Sequence, residues 1–298
     1  MPLIAVNNDI ELFYEASGDP NGPPVLLIAG LGVQLIDWPD YFIEPLVAAG
    51  FYVVRFDNRD IGLSTTFDDA PHDPQAVLAA VLAGEEAVVG YTLADMAADA
   101  TGLLDALGIE AAHVVGVSMG AMIAQTAAIL FPDRVLSLSS LMSTTGASDV
   151  GQPTPEAMKA ILAAAPGTDR QVIIDHKLAS AKVWASPDHF DAERLLDLFN
   201  ASWDRVGGPQ ALNAGRQFCA IIAGSERDDE LRRLSVPSLV VHGKADTLIS
   251  VTGGERTAEC IPNAKLVLVG GMGHDLPPAF APDIAQEIID LVAQGSAA

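Results

Sequence analysis

A series of short apolar runs, each stopped by glycine, proline or aspartate, constrains this chain more than any other feature. They read PPVLLIAG, FYVVRFD, AHVVGVS, VLSLSSLMST, VPSLVVHG and KLVLVGG. Each is too short and too evenly apolar for an amphipathic helix, and reads as a strand buried on both faces. Helical patterns separate them. Residues 41–49 have helical spacing and stop at Gly50. YTLADMAADATGLLDALG begins with Thr92 as N-cap and stops at Gly108, and GAMIAQTAAILFP closes at Pro132. Further helices are expected near residues 254–260 and over 282–294. This alternation predicts an α/β fold with a mostly parallel, doubly wound sheet and helices on both faces. At the start, residues 3–6 and 10–15 flank the turn-prone trio Asn7-Asn8-Asp9, which predicts a hairpin.

The rhythm breaks between residues 145 and 233. No β-run occurs there, and helical patterns cover 155–165, 171–183, 190–206 and 209–223. An all-helical segment between two sheet strands reads as a cap or lid. The expected division is a core of residues 1–144 and 234–298 and a helical insert of residues 145–233. A shorter insert at 67–90 is expected to add a helix beside it. Residues 76–90 form the nearest approach to a membrane span, and Glu85 and Glu86 interrupt them, so no integral membrane segment is expected.

Charge narrows the partners. The 298 residues carry 16 Lys and Arg against 39 Asp and Glu, a formal net charge of -23. Such a polyanion repels nucleic-acid phosphates and anionic lipid headgroups, so no nucleic-acid partner is expected. The two cysteines, Cys219 and Cys260, are too few for a disulfide framework and match no zinc spacing; they read as reduced, buried thiols. The opening residues MPLIAVNNDIELFYEASGDP have no basic n-region and no long apolar stretch. The expectation is a soluble cytoplasmic protein, monomer or homodimer.

The chemistry concentrates in Gly116-Val117-Ser118-Met119-Gly120, placed between a predicted strand and a predicted helix. In a chain with 26 glycines the pentapeptide alone is a weak signal, and its context strengthens it. Ser118 must stand on a tight strand-to-helix turn. Glycines two residues before and after it remove Cβ atoms that would collide there. A serine hydroxyl needs a base, and the base needs an acid to orient it. His274 lies in a glycine-rich loop after the last strand, and Asp246 just past the strand before it. Strand C-terminal ends share one rim of a parallel sheet, so Ser118, Asp246 and His274 can converge. Asp275, adjacent to His274, is a lesser acid candidate. A developing oxyanion needs donors. Those expected are the backbone N–H of Met119 and one from Ala29-Gly30-Leu31-Gly32, with Leu31 preferred over Gly32. His242, before Gly243, reads as a structural hydrogen-bonder, and His113 as a strand-boundary residue. His72, His176 and His189 show no metal spacing, so no metal is expected.

These residues together resemble the α/β-hydrolase superfamily along essentially the whole chain. The resemblance rests on Ala29-Gly30-Leu31-Gly32, on the segment from Arg55 to Ser64, on the elbow at Ser118, and on Asp246 and His274. Within the superfamily the chain resembles the bacterial esterase branch that includes aclacinomycin methylesterase, which combines a W-P-D stretch (here Trp38-Pro39-Asp40) with an R-D-x-G-x-S turn. The resemblance implies a Ser-His-Asp triad, a helical cap and no cofactor. Many relatives carry His-Gly before the oxyanion residue, where this chain has Ala29-Gly30. Dehalogenases and epoxide hydrolases of the superfamily use Asp at the elbow, which Ser118 argues against. Arg55, Arg59 and Asp60 read as a structural turn held by an Arg–Asp pair rather than as substrate ligands. Trp184, Trp203, Phe190, Phe199 and Phe218 in the insert read mainly as packing residues, a minority lining the pocket.

The expected activity is hydrolysis of carboxylic esters, with a small to medium, mainly hydrophobic small-molecule substrate. Thioesterase, lactonase, carbon–carbon hydrolase and cofactor-free perhydrolase activities use the same triad. A catalytically silent hydrolase fold that binds a ligand is the alternative from another class.

Overall fold

In the computed structural model, which describes residues 3–7 and 10–295, the apolar runs become strands of one sheet. They are β1 (Leu3–Ala5), β2 (Glu11–Ser17), β3 (Pro24–Ile28), β4 (Tyr52–Phe56), β5 (Ala112–Val117), β6 (Val135–Leu141), β7 (Ser238–Gly243) and β8 (Lys265–Val269). Their order across the sheet is β1-β2-β4-β3-β5-β6-β7-β8. β1 pairs antiparallel with β2, and β2 with β4; every later pairing is parallel. The expected hairpin joins β1 to β2, although Asn8 and Asp9 of its turn lie outside the described residues.

The helices are α1 (Asp40–Ala48), α2 (Pro74–Ala83), α3 (Leu93–Ala106), α4 (Met119–Leu130), α5 (Pro155–Leu162), α6 (Arg170–Trp184), α7 (Ala192–Val206), α8 (Ala211–Ile222), α9 (Asp228–Leu231), α10 (Val251–Cys260) and α11 (Ala281–Gly295). α3 starts where the sequence predicts. Thr92 Oγ1 accepts from the Asp95 N–H, and Asp95 Oδ2 accepts from the Thr92 N–H, a reciprocal cap. None of the helices is long and apolar enough to cross a membrane, among the described residues.

The two-residue period of a strand sorts side chains into two cores. Val25 and Leu27 of β3 point to one face, where they join Phe42 and Leu46 of α1 and Ile284 and Ile288 of α11. Leu26 and Ile28 point to the other, with Met96 and Leu103 of α3 and Ile123 of α4. Each such side chain contributes about 1.5–3 kcal/mol by leaving water, which locks the register of the central strands. Their C-terminal ends are thereby held along one rim.

Between β6 and β7 the described residues form α5 to α9 and no strand. This segment docks on the turn after β4 through buried charge. Arg205 of α7 lies 2.7 Å from Asp57. Arg216 of α8 forks onto Asp60 with bonds of 2.9 and 2.8 Å, both side chains being buried. Arg59 pairs with Asp99 of α3 instead, at 2.6 and 2.8 Å. The Arg–Asp pairs that hold this turn therefore reach out of it, to three different helices. The helix expected in residues 67–90 is α2, which packs on α8.

Candidate active site

Ser118 occupies the one-residue corner between β5 and α4, with φ 57° and ψ -120°. A positive φ on a residue with a Cβ costs about 1–3 kcal/mol and survives only where surroundings enforce it. The glycines on either side do so by letting backbone approach. A Cβ at Gly116 would come 2.2 Å from the Gly120 carbonyl oxygen, and one at Gly120 would come 2.0 Å from that of Ile28. The Ser118 N–H donates to the Leu141 carbonyl at 2.9 Å, and Ser143 Oγ donates to the Ser118 carbonyl at 2.9 Å.

The three dispersed side chains meet above this corner. His274 Nε2 lies 2.9 Å from Ser118 Oγ, and His274 Nδ1 lies 2.7 Å from Asp246 Oδ2. Asp246 Oδ1 accepts the backbone N–H groups of Leu248 and Ile249, both at 2.9 Å. Burial alone would raise the Asp246 pKa. The charge of His274 and its hydrogen bond, with the His242 imidazole close by, outweigh burial and hold the carboxyl well below the usual range. The carboxylate is thus ionised wherever the imidazole works. Asp275 takes no part in this contact. Its Oδ1 accepts from the Ser186 N–H at 3.0 Å and the Ser186 hydroxyl at 2.5 Å.

The loop after β3 lies against the Ser118 corner. Gly30 packs close enough that a Cβ there would be 3.5 Å from Ser118 Cβ. The Gly32 N–H donates to Gln217 Oε1 of α8 at 2.9 Å, and Gln217 Nε2 donates to the Arg59 carbonyl at 2.8 Å. The N–H groups of Leu31 and Met119 donate to no acceptor among the described residues. Of the two loop residues weighed from sequence, Gly32 is engaged elsewhere and Leu31 is available.

The segment between β6 and β7 touches both loops of the site. The His274 N–H donates to the Trp184 carbonyl at 2.7 Å, and the Gly273 N–H to Ser186 Oγ at 2.9 Å. A cavity of about 90 Å³ lies between Gly32 and Val33 on one side and Ile173, Ile174, Phe199 and Trp203 on the other. Ser118, Asp246 and His274 do not line it. Phe199 and Trp203 are thus among the insert aromatics that border a cavity.

Other reactive groups are held silent. Cys219 and Cys260 are buried free thiols. Burial pushes both up, Cys260 to about 11, so neither forms a thiolate readily. His113 Nδ1 bonds Ser137 Oγ at 2.9 Å, and burial lowers its pKa. Gln217, Ser186 and the Trp184 carbonyl escaped sequence reasoning. Gln217 and Gly32 are 185 residues apart, and no local pattern marks either as a partner.

Comparison with known proteins places this geometry in context. The profile of the family described as alpha/beta hydrolase fold matches residues 23–277. Rhodomycin D methylesterase DnrP of Streptomyces peucetius is 30% identical over 310 residues, covering 97% of both chains. The enol-lactonase from Burkholderia xenovorans LB400 superposes with a TM-score of 0.71 at 25% identity, covering 98% of this chain and all of that one. A meta-cleavage product hydrolase from Pseudomonas fluorescens IP01 shares the fold, with a TM-score of 0.75 at 20% identity over 99% and 98% of the two chains.

Proposed function

The chain belongs to the α/β hydrolase family, and from that premise we propose that it is a serine hydrolase of carboxylic esters with Ser118, His274 and Asp246 as its triad. The observation that carries this reading is the relay of 2.9 Å from Ser118 Oγ to His274 Nε2 and 2.7 Å from His274 Nδ1 to Asp246. His274 accepts the proton as Ser118 Oγ attacks the ester carbonyl. The tetrahedral oxyanion takes hydrogen bonds from the Leu31 and Met119 N–H groups. His274 then protonates the leaving alcohol, and the acyl group remains on Ser118. Water, deprotonated by the same imidazole, attacks that acyl-enzyme and releases the acid. Asp246 keeps the proton of the neutral imidazole on Nδ1 and stabilises the imidazolium.

The similarity to a methylesterase over nearly the whole chain supports an ester over other acyl compounds. Residues 145–233 act as the cap. Their contacts with the loops carrying His274 and Gly32 support this division.

Turnover of short and medium p-nitrophenyl esters by wild type and Ser118→Ala tests the reading. The variant is expected to lose about 10³-fold or more in kcat. Equal rates would overturn the nucleophile assignment. A fluorophosphonate that fails to label Ser118 would instead support a silent, ligand-binding fold.

A further inference from the structure

The mechanism leaves one buried imidazole without a task. His242, on β7, has no exposed surface. Its Nε2 lies 2.8 Å from the Ile249 carbonyl oxygen and 3.3 Å from Asp246 Oδ2, the same oxygen that meets His274. A carbonyl can only accept, so Nε2 carries the proton. Nδ1 meets no partner among the described residues. A proton there would be buried without an acceptor, at a cost of about 1–3 kcal/mol, which sets the Nε2–H tautomer. Room for it is made by α10, where a Cβ on Gly254 would come 2.5 Å from Nδ1.

We infer that His242 is a positioning residue, which holds the Asp246 carboxylate in its working orientation by donating Nε2–H to the carbonyl of Ile249, the residue whose own N–H binds Asp246 Oδ1. The inference rests on the reading of Ser118, His274 and Asp246 as the triad. With His242 present, Oδ1 faces two backbone N–H groups and Oδ2 faces the His274 N–H, with His242 Nε2 3.3 Å away. Such a carboxylate cannot rotate away from His274 without abandoning a donor. The charged groups that bear on His242 are Asp246, from the loop after its own strand, and His274 across that carboxylate. From α10 it meets uncharged Gly254, and from the loop before α10 the Ile249 carbonyl.

Nuclear magnetic resonance of ring-labelled histidines tests this in wild type, His242→Phe and His242→Gln. In wild type the His242 ring proton is expected on Nε2. In His242→Phe the His274 Nδ1–H resonance, which reports its bond to Asp246, is expected to move upfield as that bond loosens. His242→Gln restores an N–H at the Nε2 position and is expected to return the resonance toward wild type. A purely structural role would lower stability without moving this resonance in that pattern. A His242 protonated on Nδ1 would overturn the inference. So would a His274 Nδ1–H resonance unmoved in His242→Phe. Should that variant fail to fold, the tautomer in wild type decides. These readouts need no turnover, so they separate failure of this inference from failure of the esterase reading, which Ser118→Ala decides.

Discussion

At the scale of single residues, the site depends on atoms that are absent as much as on those present. Gly120 allows the Ile28 carbonyl to sit where a Cβ would be, 2.0 Å away, and a backbone oxygen cannot step aside. Gly120→Ala is therefore expected to lower the melting temperature and abolish ester turnover together, read by calorimetry and a p-nitrophenyl ester assay. A folded, active variant would contradict the close packing of the elbow on β3. Asp37 makes a different case. Burial pushes its carboxyl from 3.8 up to about 6, opposed by Lys177 and by the Gln34 N–H. Its folded state binds the proton more tightly than its unfolded state. Below the ordinary value of 3.8 both states are protonated and there is no penalty; as pH rises toward about 6 the unfolded state ionises first and stability is lost. Asp37→Asn is expected to stabilise the protein at about pH 7.5 and not at about pH 3.5. Asp37 remains partly exposed, and solvent screening limits the gain to about 1 kcal/mol. Urea unfolding at both pH values measures it, and an equal effect at both would exclude the ionisation argument.

At the scale of elements, the helices between β6 and β7 are tied to the core by buried ions rather than by a continuous apolar seam alone. Arg216 and Asp60 are both buried, and Tyr91 adds its hydroxyl to the same carboxylate at 2.6 Å. Removing one partner leaves the other charge buried and unpaired. Arg216→Met is expected to cost about 3–5 kcal/mol, visible as a clear drop in the thermal midpoint. Lys265→Met, whose pair with Glu287 lies at the surface, is expected to leave the midpoint almost unchanged. Equal effects would show that the buried pair does not anchor α8. The tie also reaches the chemistry, because α8 carries Gln217, which fixes Gly32 beside the candidate oxyanion donor. Docking of the insert and geometry of the site are thus one problem.

At the scale of the whole molecule, the net charge of -23 makes the folded state repel itself. Raising NaCl from about 10 mM to about 500 mM shortens the screening length several-fold and is expected to raise the melting temperature; a fall would show that attractive pairs outweigh the general repulsion. The fold was largely legible from order along the chain. The runs around Leu26, Val53, Val114, Leu138, Val240 and Val267 all became strands, and Thr92, Gly108 and Pro132 mark helix ends or turns as read. The elbow at Ser118 was legible for the same reason, since strand, serine and helix are neighbours and the glycines betray a crowded corner. Burial, turn chemistry and short-range sterics act between residues close in sequence, and a linear pattern records them. The engagement of Gly32 by Gln217, the turn to Ser186 by Asp275, and the approach of His242 to Oδ2 of Asp246 left no such record. Each depends on angstrom-scale distances and bond directions between groups that only the packed sheet and its docked helices bring together. Linear order could nominate the hydroxyl, the imidazole and the carboxylate, but which N–H remained open and which oxygen faced His274 were settled by packing.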